Sequence, residues 1–259
     1  MTMPEPILGA VLGLIPISDS NPTRRFPIMT VVIIALNVLV FFLVEPDFGQ
    51  SCRAENYFAK EAAVPCQATG CPTIPVQYCQ GQAPVRIPQR GAVQFLAAMV
   101  FAMFLHAGFL HIGGNMLFFW IFGNNIEDFL GRIKFVVFYL LGGLAAGFAQ
   151  VVTHLHGIDR LIPAVGASGA IAAVMGAYLV LFPKARIRVL VPIFIVFTMV
   201  QLSAYIVLGL WFVFQFFTGA GSGVAWMAHV GGFVFGVVAI YLLGGRPQRE
   251  AAMYRPGWR

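Results

Sequence analysis

Charge-free apolar runs separated by short polar segments set the pattern of this chain. The first run, 26–44, holds nineteen residues without a charge and predicts a transmembrane helix. The next, 91–126, is too long for one span and too short for two with a turn. We read 92–105 as an embedded or interfacial element of an outer loop and 107–124 as the second span. The third span is 135–152, with the small-residue segment LGGLAAG, and the fourth is about 165–182, closed by Pro183. Residues 189–245 carry no charge at all. They predict a fifth span at about 204–217, a glycine-rich loop at 218–223 and a sixth span at 225–243. The segment 189–203 is short for a span and contains Pro192, so it is expected to lie along the interface. The expected fold is an all-α polytopic membrane protein, a bundle of six transmembrane helices over 26–245.

Composition and charge agree with that pattern. The chain has 259 residues, 59% of them hydrophobic and 10% charged. A water-soluble domain carries about 25% charged residues. The net charge of +6 fits basic residues gathered on one side of a bilayer better than a nucleic-acid partner. With six spans, Arg24, Arg25, Arg132, Lys134, Lys184, Arg186, Arg188 and the four C-terminal arginines fall inside, and five basic residues fall outside. A seventh span at 189–203 would reverse the bias. The N-terminal segment 1–25 and the tail 246–259 are therefore expected to be cytoplasmic, in a cell membrane. The apolar patch 7–17 is too short to span and lacks a basic start. Glu127 is expected to be a solvated loop residue, and Trp120, Trp211 and Trp226 interfacial anchors. Cys52, Cys66, Cys71 and Cys79 all fall in the polar segment 45–90. They suggest two disulfides in an oxidising compartment, with a metal site as the alternative. The spacing selects no pairing.

Polar side chains within spans are costly and are functional candidates by default. Ser168, in the sequence Gly166-Ala167-Ser168-Gly169, opens span four; His111 and Asn115 lie in span two and His229 in span six. All three spans begin on the outer side. At about 1.5 Å of rise per residue, Ser168 lies roughly 5 Å, His111 and His229 roughly 6 Å, and Asn115 about 12 Å below that side. A serine hydroxyl is a weak nucleophile that needs a base, and an imidazole such as that of His229 suits the task near neutral pH. The start of a helix favours negative charge on an attacked carbonyl oxygen. His111 and Asn115, at i and i+4, share a face and can both donate to such an oxyanion. No carboxylate lies in that layer, so the set reads as a Ser–His dyad. Gly232 and Gly236 after His229, and Gly169, Ala173 and Gly176 after Ser168, predict close packing of spans four and six. His106 is expected at the interface, and His154 and His156 in solvent. Groups such as Gln215 and Tyr241 are expected scattered through the opposite half, too few for a proton-relaying channel. The chemistry calls for no cofactor or metal.

FLHAGFLHIGGNMLFFWIFGNNIED at 104–128, GASGAIAAVMGAYLVLFP at 166–183 and AHVGGFVFG at 228–236, in this order, resemble the rhomboid family of intramembrane serine proteases. NPTRRFP at 21–27 adds to the likeness. The resemblance implies a six-helix rhomboid fold, Ser168 as nucleophile and His229 as general base. It implies an oxyanion site from His111, Asn115 and the Ser168 backbone N–H. The implied partners are the lipid bilayer and membrane-spanning protein substrates, cleaved near the outer leaflet. Two features depart from many members. The outer loop lacks a Trp-Arg pair, and Ala172 stands where some carry a tyrosine that supports the histidine. A catalytically silent rhomboid-like protein that binds membrane clients is the competing reading.

Overall fold

A computed structural model describes residues 15–80, 82–193, 196–218 and 225–247. The patch 7–17 for the most part, the loop glycines at 219 to 223 and the tail from 248 onward lie outside the described residues. Eight α-helices and one small sheet make up the described chain. Helix α1 (Ile28–Leu43) follows Pro27. Its first N–H groups, which no helix can satisfy internally, meet the carboxylate of Glu127. Met29 N–H donates to Oε1 at 2.9 Å, and Thr30 N–H and the Thr30 hydroxyl donate to Oε2 at 2.8 Å. Glu127 is thus a buried helix cap rather than a solvated loop residue. Its own helix runs on past the predicted boundary.

The polar segment after α1 folds into α2 (Cys52–Glu61), capped by the Ser51 hydroxyl, which accepts from Ala54 N–H at 3.2 Å. Two disulfides close this segment, Cys52–Cys79 and Cys66–Cys71. The Arg90 guanidinium donates to the carbonyls that end α2, with Ala62 O at 2.7 Å. Helix α3 (Ala92–Ala102) has eleven residues and is followed by a tight turn into α4 (Phe109–Leu130). Gly131, at φ +75°, turns the chain directly into α5 (Arg132–Thr153). Helices α6 (Ser168–Leu181), α7 (Ala204–Thr218) and α8 (Trp226–Leu242) complete the set.

The all-α expectation fails at one end of the bundle. Strand β1 (Ile15–Asp19) pairs antiparallel with β2 (Arg186–Ile193), which pairs antiparallel with β3 (Val196–Ser203). The segment expected to lie along the interface is therefore mostly a hairpin arm. Its Val- and Ile-rich composition favours strands, and pairing satisfies backbone groups that an irregular interfacial segment would leave open. Alternation sets the register. Ile187 and Val189 are buried while Arg186 and Arg188 are exposed.

Among the described residues, Arg132–Thr153 alone is long and apolar enough to cross a membrane by length and composition; α1, α3, α6, α7 and α8 are apolar but shorter. Helix α6 is the core element, with most of its fourteen residues buried. Glycines bring α8 against it. A Cβ at Gly232 would collide with the carbonyl oxygen of Gly169, one at Gly236 with that of Ala173, and one at Gly176 with that of Phe233. The small-residue stripes thus put two backbones in direct contact, as expected. The outer faces of the bundle are apolar. Leu36, Leu39 and Phe42 of α1, Leu141 and Phe148 of α5, and Val234 and Val238 of α8 are exposed. Apolar faces exposed in this way call for a cover.

Candidate functional site

Ser168 is the first residue of α6, three residues later than the sequence places the start of the span. The loop before it runs beside the end of α3, where Gly166 N–H donates to Ala102 O at 2.9 Å. Gly166 adopts φ +117°, and a Cβ there would stand 2.8 Å from Cε1 and Nε2 of His111 and 3.6 Å from Nδ2 of Asn115. Glycine is needed at this position on two counts, the left-handed backbone and the room for those two side chains. His111 and Asn115 therefore converge two residues before Ser168, as their shared helix face predicts.

The hydrogen bonds assign the protons. Ala107 N–H donates to His111 Nδ1 at 3.2 Å. A nitrogen that accepts carries no proton, so in the neutral ring Nε2, the atom facing Gly166, carries it. Asn115 is 1% exposed and its Nδ2 has no hydrogen-bond partner. Two N–H donors thus point at the loop that leads into Ser168. The N–H groups of the first turn of α6 have no acceptor inside the helix. A buried donor left unpaired costs about 1–3 kcal/mol, a cost that a site for developing negative charge would recover.

On the other side of Ser168 stands His229, 2% exposed, from the first turn of α8. Its Nε2 lies 2.8 Å from Ser168 Oγ. Its Nδ1 lies 2.7 Å from Gln215 Oε1, on α7. The Gln215 amide also donates from Nε2 to Trp211 O at 2.9 Å. The Trp211 indole lies 5.7 Å from the imidazole, centroid to centroid, at 41°. Sequence reasoning missed both residues. Trp211 is packed on the histidine rather than anchored at an interface, and Gln215 is at the level of the serine rather than in the opposite half. Helix α7 runs toward the Ser168 end of the bundle, so a residue near its C-terminus belongs to that layer. Ala172, one turn after Ser168, is fully buried and offers only a methyl group.

His106 is fully buried, not interfacial. Its backbone N–H donates to Glu45 Oε1 at 2.9 Å, and its ring lies 5.2 Å from that of His111. Burial pushes the Glu45 carboxyl up to about 7. Gln150 of α5 accepts from Ala228 N–H at 3.2 Å and lines a cleft beside Ser168 with Met103, Gly143 and Ala146. Ala63 and Pro65, from the cysteine-bearing loop, line the same cleft. Among the described residues no group of histidines, cysteines and carboxylates has the arrangement of a metal site, and all four cysteines are spent in disulfides.

Residues 94–246 match the family model of the rhomboid domain. The chain belongs to the rhomboid family. The rhomboid match takes in every residue of the Ser168 cluster. The curated relatives are matched over part of their length. Presenilin-associated rhomboid-like protein A, mitochondrial, of Danio rerio is 35% identical over 143 residues, which is 54% of this chain and 35% of that protein. Rhomboid protein 1, mitochondrial, of Saccharomyces cerevisiae is 33% identical over 104 residues, 40% of this chain and 30% of its own. Rhomboid protease GluP of Bacillus subtilis is 28% identical over 221 residues, 84% of this chain and 35% of its own. The matched parts thus span about a third of these rhomboid proteins. The expected cell-membrane location, with its cytoplasmic termini, does not stand. The rhomboids that match at 31–35% identity are named as mitochondrial.

Proposed function

We propose that this rhomboid is an intramembrane serine endopeptidase that cleaves membrane-spanning proteins with Ser168 and His229. The observation that carries the reading is the 2.8 Å approach of His229 Nε2 to Ser168 Oγ, with the donors of His111 and Asn115 beside it. Ser168 Oγ attacks the carbonyl carbon of the scissile peptide and passes its proton to His229 Nε2. The oxyanion of the tetrahedral intermediate is held by His111 Nε2–H, Asn115 Nδ2–H and the Ser168 backbone N–H. When the C–N bond breaks, the leaving amine takes the proton from the imidazolium. A water, deprotonated in turn by His229, then hydrolyses the acyl-enzyme and frees Ser168.

In this reading α1, α4, α5, α6, α7 and α8 are six spans, and α3 is an embedded helix that does not cross. The sheet supports the count. Strands β1 and β2 pair, so they lie on one side of the membrane, and an even number of crossings must separate them. Helices α1, α4, α5 and α6 supply four. With fourteen residues, α6 is about 21 Å long against a hydrocarbon core of about 30 Å, which recesses Ser168 below the surface. Likeness to the mitochondrial relatives supports a mitochondrial membrane as the setting. The test is co-expression of the full chain with a tagged single-span protein, comparing wild type with Ser168→Ala and His229→Ala. Both variants should leave the substrate intact; cleavage at the wild-type level in both would sink the proposal. Labelling of Ser168 by a fluorophosphonate separates an active enzyme from a silent client-binder.

A further inference from the structure

We infer that Gln215 is a positioning residue for His229, holding the imidazole in the tautomer that can take the serine proton. The inference rests on the serine-protease reading above and deepens it. Three observations carry it. The first is a chain of contacts across three helices: Ser168 Oγ on α6, His229 on α8 and Gln215 on α7, with separations of 2.8 and 2.7 Å. The second is the orientation of the amide. The oxygen and nitrogen of a glutamine side chain are told apart by their partners. Here the nitrogen faces the carbonyl of Trp211 at 2.9 Å, which can only accept. The oxygen must then face His229. An amide oxygen only accepts, so Nδ1 of His229 must carry a proton. In the neutral ring Nε2 is then bare and accepts from the Ser168 hydroxyl. Reversing either step reverses the tautomer and leaves the serine facing an N–H. The third is burial. Gln215 is 5% exposed in an otherwise apolar helix, where a polar side chain is retained at a cost. A glutamine has no charge to lend the imidazolium. It supplies a fixed acceptor and a fixed ring plane, while Trp211, one turn earlier on the same face, covers the ring.

Full-length protein in liposomes, cleaving a single-span substrate, provides the test. Gln215→Met keeps the length of the side chain and removes the acceptor. Gln215→Glu keeps an acceptor at the same reach. Gln215→Met should lower kcat by about 10- to 100-fold, the range for losing a hydrogen-bond partner that orients a metal-ligating histidine. KM should stay within about twofold, since the Gln215 amide faces Trp211 and His229 behind the serine. Gln215→Glu should retain more activity than Gln215→Met. A residue that only fills volume would give the opposite order, because methionine suits an apolar helix and glutamate does not. An unchanged kcat in Gln215→Met, or Glu falling below Met, overturns the inference. A readout without substitution stands beside these in case Gln215→Met does not fold. Nitrogen-15 spectra of the wild-type imidazoles in bilayers, with His229 assigned by its loss in His229→Ala, should show Nδ1 protonated and Nε2 bare near neutral pH. The reverse tautomer overturns the inference. Failure of the protease reading looks different, since Ser168→Ala and His229→Ala would then cleave like wild type.

Discussion

The two ends of α6 are held in opposite ways. At the C-terminal end Tyr178 donates its hydroxyl to Asp19 Oδ2 at 2.6 Å and Asn125 donates to the same oxygen at 3.0 Å, so strand β1 is tied to two helices at once. At the N-terminal end the polar groups are incompletely spent. Asn115 Nδ2 has no partner, and Ser168 touches its neighbours through one hydrogen bond to His229. One end commits Asp19, Tyr178 and Asn125 to a shared knot of hydrogen bonds, and the other leaves the Asn115 amide donor unpaired beside Ser168. In the proposed reading that difference, more than the presence of a serine or a histidine, separates a catalytic site from a structural knot of the same residue types.

The contrast can be broken from either end, and the largest effect belongs to the reacting pair. Ser168→Ala and His229→Ala should each lower cleavage by roughly 10⁴-fold or more, without moving the thermal unfolding midpoint far. Asn115→Ala removes one unspent donor and should lower kcat by about 100-fold; an unchanged kcat would show that its Nδ2 serves no oxyanion. Gly236→Leu drives a side chain into the carbonyl of Ala173. It should destabilise by about 3 kcal/mol or more in thermal unfolding and cut activity with it, because α8 carries His229.

Asp19 tests the tied end. Burial raises its carboxyl from 3.8 to about 6, against the lowering effect of the Tyr178 hydroxyl. The folded chain thus holds this proton more tightly than the unfolded one. The contribution to stability is present in full below pH 4 and is lost as pH rises toward about 6, a change of about 3 kcal/mol. Unfolding midpoints measured across that window should fall with rising pH in wild type and flatten in Asp19→Asn. The smallest effect is expected at Arg24, 3.6 Å from Asp128 with its side chain 85% exposed. Arg24→Ala should shift stability by less than about 0.5 kcal/mol, and a larger shift would mean that the tied end extends to the surface.

The sequence made the candidate site legible because position along an apolar run is a matter of counting. Ser168, His229, His111 and Asn115 each lie a countable distance from a span boundary, and the structure brings them together at one end of the bundle. The glycine stripes were equally plain, since only missing side chains let two backbones touch. Three of the misses have a plain physical reason. Residues 189 to 203 have no charge to fix their depth, and the strand that pairs with them lies far away in sequence. Glu127 reads as a loop carboxylate until the bare N–H groups at the start of α1 are placed beside it. Gln215 was counted from the wrong end. Helix α7 runs toward the serine, so its last turn, not its first, shares the layer of His229.

Strand β1 finds its partner only late. Ile15 pairs with Leu190, 175 residues further on, and at about 5–20 residues per second of synthesis it waits about 9–35 s. Through that interval β1 has no neighbour to pair with, and its edge is open to chaperones or to the matching strand of another nascent chain. The docking of β1 on β2 is thus a late event, in which an earlier segment latches onto one made well after it.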